Sequence, residues 1–200
     1  MPNSDDSIKR ALARGTNLVL IDYDGTTLSC PSVRINNVET GKIAALHLIA
    51  AERNALHFVG PDGERPVVCD RYQGVMEAAQ GKATVTRSVV RGLSQAAAVA
   101  GAQEIVNMVK HGEIDGVVAA TDVIGVEVVH CLRENGMSVP GQVSVIGCDH
   151  NAFAGNGSIG LSSIDLRSQT VGSLAMKLAL GEVLESDNIV LQPRLVARAT

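Results

Sequence analysis

GVVAATDVIGVEVVHCLRENGMSVPGQVSVIGCDHNAFA, residues 116–154, contains one complete strand, helix, strand unit. Gly116 to Ala120 is a short apolar, β-branched run that reads as a buried strand ending at Thr121-Asp122. Ile124 to Asn135 follows with helical spacing and is stopped by Gly136, and Val143 to Ile146 reads as the next strand, ending at Gly147-Cys148-Asp149. Two buried strands joined through a helix require a crossover, so the pair is parallel and the class is α/β.

The same rhythm extends in both directions. A polar helix from about Asp5 to Arg14, terminated by Gly15, precedes a strand expected over Asn17 to Tyr23 (NLVLIDY). Ser32 to Ile35 is extended, and Thr40 to Glu52 is a helix with Ile43, Leu46 and Ile49 spaced on one face. Ala55 to Val59 returns as a strand. A loop rich in Gly, Asp and Pro then leads to a helix from about Val68 to Ala79, a strand over Ala83 to Val90 and an Ala-rich helix from Gln95 to His111, with Ile105 and Val109 toward a core. Beyond Asp149, Leu161 to Leu166 is extended, Ser168 to Leu184 is helical, and Asn188 to Arg198 alternates like strands. Asp22, Thr121, Asp122 and Asp149 all fall at carboxyl ends of expected parallel strands, where open α/β sheets place ligand crevices.

Composition narrows the function classes. No apolar run approaches the roughly 18 residues of a membrane helix, and MPNSDDSIKR lacks the basic and apolar regions of a secretory signal, which makes the cytosol the expected compartment. The 17 basic and 21 acidic residues give a net charge of −4 and are scattered, the opposite of a basic nucleic-acid footprint. Aromatics make up 2% with no tryptophan, which leaves little for a base-stacking surface. Cys30, Cys69, Cys131 and Cys148 form no CxxC, and the five histidines show no ligand spacing, so reduced structural thiols are expected and neither a metal nor a cofactor.

LVLIDYDGTTL, residues 18–28, requires separate weighing because a buried strand followed by DxDGT is similar to the first motif of haloacid-dehalogenase-type phosphatases. There Asp22 would be the nucleophile and Asp24 the general acid. A magnesium site would want a further carboxylate shortly after Asp149, whereas the chain continues HNAFAGNGSIG, with no acid before Asp165. The enzyme reading is therefore the alternative, and the expectation is a protein that is not an enzyme.

The run from Gly116 to Asp149, above all ENGMSVPGQVSVIGCD, resembles the LacI/GalR family of transcription regulators. LSSID (161–165) is similar to the family's crossover segment, and PRLVARAT (193–200) to its closing tail. PSVRINNVETGKIAALHLI (31–49) resembles the family's strand and helix start, and DRYQGVMEA (70–78) its R-x-x-G-F segment. The sequence departs from the family where Asn36 replaces the usual Asp, where Glu52-Arg53 is all that remains of a Gly-His-Arg, and where the proline before LSSI is missing.

The resemblance implies a periplasmic-binding-protein-like α/β fold, two parallel-sheet lobes with an effector cleft between them, the first lobe incomplete. The lobes implied are residues 1–60 with 164–184, and 61–163 with 185–200, without a helix-turn-helix. It implies an effector-sensing core that binds a small polar metabolite, a sugar or derivative. DNA would be reached only through a missing N-terminal head, the protein would be a homodimer, and no membrane is involved. Arg71 resembles the cleft arginine and Asp149 the cleft carboxylate, with Asn36, Thr121 and Tyr23 at further pocket positions. Each has a plainer reading: a surface or helix-cap arginine, an Asx turn at Asp149, a sheet-end cover at Tyr23. Asp122 is expected to cap its helix rather than touch ligand. An extracytoplasmic sugar-binding protein of a transporter would share the fold, but the missing signal and the VPxxVSVIGxD pattern speak against it.

Overall fold

The computed structural model describes residues 4–61, 65–91, 95–157, 159–182 and 186–200. In chain order the elements are α1 (Ser4–Ala13), β1 (Leu20–Ile21), β2 (Ser32–Ile35), α2 (Asn37–Ala50), β3 (Ala55–Pro61), α3 (Pro66–Ala79), β4 (Thr84–Val90), α4 (Gln95–Lys110), β5 (Gly116–Ala119), α5 (Asp122–Glu134), β6 (Ser144–Cys148), β7 (Ser162–Asp165), α6 (Ser168–Ala179), β8 (Asn188–Leu191) and β9 (Arg194–Val196), with short 3-10 turns at Thr26–Leu28 and Ala152–Gly155. The alternation read from the sequence is present throughout. Of the helix expected to reach Leu184, residues 183 and 184 lie outside the described residues, as does most of the loop after Pro61.

The chain divides into two compact units, Met1–Asn36 with Arg167–Gln192 and Asn37–Leu166 with Pro193–Thr200. This differs from the division expected at residues 60, 163 and 184. β3 is hydrogen-bonded between β4 and β5, so β3 and the helix before it belong to the larger unit. The tail divides too: β8 pairs with β2 in the smaller unit, and β9 pairs antiparallel with β7 in the larger.

The larger unit is built on a six-stranded sheet in the order β4-β3-β5-β6-β7-β9, parallel except at β9. One face carries α4 and α5 over a core that includes Val59, Ile105, Val117, Ile124, Val128, Leu132 and Val145. The other carries α2 and α3 over Leu48, Leu56, Phe58, Val75, Val118 and Ile146. Strands covered on both faces read as continuous apolar runs, which is why GVVAA and VSVI were legible.

The apolar face expected of α2 is only part of what is buried: Ile43 and Ile49 pack half-buried against the core, and the most buried residues lie beside them. Gly41, Ala44, Ala45 and Leu48 are buried while Leu46 is 44% exposed. A Cβ on Gly41 would run into the carbonyl oxygen of Arg71, and one on Gly74 into that of Val38. The two helices meet backbone to backbone, and only small residues allow that approach.

The smaller unit holds a parallel three-stranded sheet, β1-β2-β8. The strand expected over residues 17–23 contracts to Leu20–Ile21, with Ile21 51% exposed. Asp22, at φ 55°, turns the chain away. An apolar β-branched run is a long buried strand only where the sheet continues beside it and both faces are covered.

Candidate functional site

In the order β4-β3-β5-β6 the direction of winding reverses between β3 and β5, and the crevice of an open α/β sheet lies outside the carboxyl ends of such a pair. Arg71 and Asp149 converge there. Pro66 in the first turn of α3 fixes the start of that helix, where the missing N–H costs nothing, and Arg71 follows on the side facing α2. The glycine contact between α2 and α3 brings Asn37 within reach, and Arg71 Nε donates to Asn37 Oδ1 at 2.9 Å. Arg71 Nη1 donates to the carbonyl oxygen of Ala120 at 2.6 Å, at the end of β5. These bonds use two of the five guanidinium N–H groups of an arginine that is only 6% exposed.

Asp149 follows β6 and places Oδ1 3.8 Å from Arg71 Nη1, with its side chain 28% exposed. It sits at φ 117° and His150 at φ 56°, two consecutive non-glycine residues in backbone conformations that typically cost about 1–3 kcal/mol each when sparsely populated. The backbone around them is pinned. Asp149 N donates to Ile164 O at 3.0 Å, His150 N to Ser163 Oγ at 3.0 Å and Asn151 N to Asp122 Oδ2 at 2.7 Å. Cys148, just before, is buried, and burial pushes its thiol up to about 12, so it stays protonated and inert.

The expectation that Asp122 caps α5 is corrected by the structure. Thr121 is the N-cap, its side chain accepting from Ile124 N at 3.4 Å. Asp122 is fully buried instead, accepting from Ser163 Oγ at 2.6 Å as well as from Asn151 N. Burial pushes its carboxyl above the usual range, opposed by the bonds from Ser163 and Asn151 and by the charges of Arg198 and His150. Thr121 keeps a hydroxyl that can still donate while it accepts the cap bond.

The other two candidates lie in the smaller unit. The Tyr23 phenol donates to Asp5 Oδ1, and Asn36 N donates to Leu191 O at 2.9 Å. The structure thus brings Arg71, Asp149 and Thr121 to one sheet edge of one unit and ties Tyr23 and Asn36 into the other. Sequence reasoning missed Asn37, which orients Arg71, although the Asn36-Asn37 pair at the start of α2 was a usable signal. It also missed the clamp of Asp122 and Ser163, for which spacing gives none.

Asp24, the general acid of the phosphatase alternative, is occupied by its own turn. It accepts from Thr26 N at 3.0 Å and Thr26 Oγ1 at 2.7 Å and pairs with Arg34 Nη2 at 3.1 Å. The hydrogen bonds from Thr26, with a smaller contribution from Arg34, hold its carboxyl below the ordinary value. Among the described residues no group of three or more His, Cys, Asp and Glu could hold a metal ion, and no helix is long and apolar enough to cross a membrane.

Comparison with known proteins bears on the family and the fold. Residues 45–200 match the family described as periplasmic binding protein-like domain. The chain is 26% identical over 188 residues to the HTH-type transcriptional regulator CelR of Thermobifida fusca, covering 88% of this chain and 55% of that protein. It is 26% identical over 167 residues to the ribose operon repressor of Bacillus subtilis (strain 168), covering 84% and 51%. The chain therefore spans about half the length of the curated relatives it matches. A LacI family transcriptional regulator from Enterococcus faecium, solved with bound ribose, superimposes with a TM-score of 0.84 at 20% identity, over 98% of this chain and 74% of that one. With residues 45–200 matched and the sheet order and helix layers in place, the chain belongs to the periplasmic binding protein-like domain family and has the fold of LacI-family effector domains.

Proposed function

We propose that this chain is the effector-sensing core of a LacI-type transcription regulator, and that it binds a small polar metabolite, a sugar or sugar derivative, against Arg71 and Asp149. The observation that carries the reading is the pairing of a buried, forked cation with a partly exposed carboxylate at the winding reversal of the sheet. A guanidinium held in a fixed plane donates paired hydrogen bonds, and a carboxylate accepts paired hydroxyl donors. Together they suit adjacent hydroxyls of a sugar. Thr121 adds a hydroxyl at the neighbouring strand end. Tyr23 and Asn36 belong to the same reading only as further candidate positions.

The curated relatives are transcriptional regulators, and a neighbour in structure was solved with bound ribose; both support a sensing role. The reading extends to a cytoplasmic homodimer that reaches DNA through a separate head, with no catalysis by this core. Effector binding changes DNA affinity only through a difference in its affinity for two states of the protein.

Thermal unfolding in the presence of D-ribose, D-glucose, lactose and glucose 6-phosphate tests the binding step. A ligand of the native state at 100 times its Kd stabilises by about 2.7 kcal/mol, a shift of several degrees. A shift with at least one of these compounds that disappears in both Arg71→Ala and Asp149→Ala is the expected result. A shift that survives both substitutions would place the ligand elsewhere.

A further inference from the structure

We propose that Asp122 is a positioning residue for effector binding: through Ser163 and the Asn151 amide it holds the Asp149-His150 turn in its left-handed conformation and thereby aims the Asp149 carboxylate at Arg71. The inference rests on the reading that Arg71 and Asp149 form the effector site.

Three consecutive backbone amides carry the argument. Those of Asp149, His150 and Asn151 donate to Ile164 O, Ser163 Oγ and Asp122 Oδ2 respectively. The Ser163 hydroxyl that accepts from His150 donates its own proton to Asp122 Oδ1 at 2.6 Å, so one buried carboxylate organises two of the three anchors. The turn needs them. Asp149 at φ 117° and His150 at φ 56° lie where residues with a Cβ settle only under constraint. Released from its anchors the turn relaxes toward negative φ, and the Cα–Cβ bond of Asp149 swings away from α3.

The surroundings leave the carboxylate no freedom to move instead. β6 passes so close that a Cβ at Gly147 would run into Asp122 Oδ1. Asp122 stands at the first position of α5, where the N-terminal dipole favours its charge. Arg71 is fixed independently by Asn37 and the Ala120 carbonyl. One side of the effector pair is thus set by α2 and β5, and the other by α5 and β7. Arg198 reinforces the second side, donating from Nη1 to Leu161 O and lying with Nη2 2.9 Å from His150 Nδ1.

The experiment compares the 200-residue chain with Asp122→Ala, Ser163→Ala, Asp122→Asn and the double variant Asp122→Ala/His150→Gly by NMR and by D-ribose titration. Loss of hydrogen-exchange protection at the amides of 150 and 151 is expected in Asp122→Ala, together with a displaced Arg71 Nε–H resonance and unchanged protection in β5. Weakening of D-ribose binding by about tenfold or more is expected in the same variant. Asp122→Asn, which keeps one acceptor, should fall between it and the parent. Adding His150→Gly should restore much of the affinity, because glycine adopts positive φ without strain.

Ser163→Ala removes the His150 anchor and the hydroxyl that donates to Asp122, and supplies the comparison should Asp122→Ala fail to fold. Intact protection at 150 and 151 with an unmoved Arg71 signal, in folded Asp122→Ala or Ser163→Ala, would overturn the proposal. If the parent chain binds no D-ribose, ribose as the effector fails, while the amide and Arg71 readouts still decide the positioning role.

Discussion

Two aspartates of this chain, Asp24 after β1 and Asp149 after β6, stand in turns that follow a strand, and the turns do different work. After β1 the sequence IDYDGTT folds Asp24 back onto Thr26 and out to Arg34, in a pair whose side chains are 36% and 46% exposed. After β6 the sequence IGCDHNA turns Asp149 toward Arg71, which is buried and held by two other groups. The first carboxylate satisfies its own loop, whereas the second is presented to a cation by anchors from β7 and α5. A strand-Asp-turn pattern is therefore not a site until the elements packed around it determine where the carboxylate points.

The largest expected effect separates the two arginines. Arg71→Ala leaves Asn37, the Ala120 carbonyl and Asp149 without their shared partner inside the unit, and a loss of about 3 kcal/mol is expected in urea unfolding. Arg34→Ala removes an exposed pair and should cost less than about 1 kcal/mol. Equal losses would break the comparison.

Acid supplies a second and nearly as large effect, which has to be separated from the first. His57 is buried between Thr86 Oγ1 and Ser88 Oγ, each 2.8 Å from a ring nitrogen, and burial lowers its pKa from 6.5 to about 4. The neutral ring donates from one nitrogen and accepts at the other. Below pH 6.5 the unfolded chain takes up a proton that the folded chain refuses. Stability is thus full above pH 6.5 and falls as the pH drops toward 4, by up to about 3 kcal/mol. His57→Gln should flatten that part of the pH profile; an unchanged profile would mean that some other group is responsible. The arginine and aspartate variants are best compared above pH 6.5.

The aspartates themselves should differ least in stability and most in binding. Asp149→Asn should abolish the ligand-induced thermal shift, and Asp24→Asn should leave it intact. Asp24 also carries the opposite acid signature to a neutral ligand contact. Its carboxyl is held below 3.8, so its contribution is present above that pH and fades as the pH falls through the lowered value. An Asp24→Asn variant whose stability follows the parent's throughout an acid titration would show that the turn does not depend on the charge.

Much of the larger unit was legible because its strands are covered on both faces. GVVAA and VSVI have no other stable fate, and the helix between them is bounded by Thr121 and Gly136. Arg71 and Asp149 stand out in the sequence only through the resemblance of DRYQGVMEA and VSVIGCD to LacI/GalR segments, since nothing in local periodicity singles out either side chain. α2 itself is legible, but its closest contact is not, because periodicity weights Ile43, Leu46 and Ile49 while the approach to α3 is made at Gly41 and Gly74. β1 was overestimated, because an apolar run carries no record of how much sheet lies beside it.

By itself the sequence determined the α/β alternation, the parallel crossovers and the strand ends at which polar residues collect. These follow from local periodicity, which acts over a few residues. Only the tertiary structure decided which carboxylates face an arginine, which are consumed by a turn, and that Asp122 anchors a loop instead of capping a helix. Those outcomes depend on groups brought together from β5, β6, β7 and α3, between 13 and 49 residues apart in the bonds concerned, and no local pattern encodes their meeting.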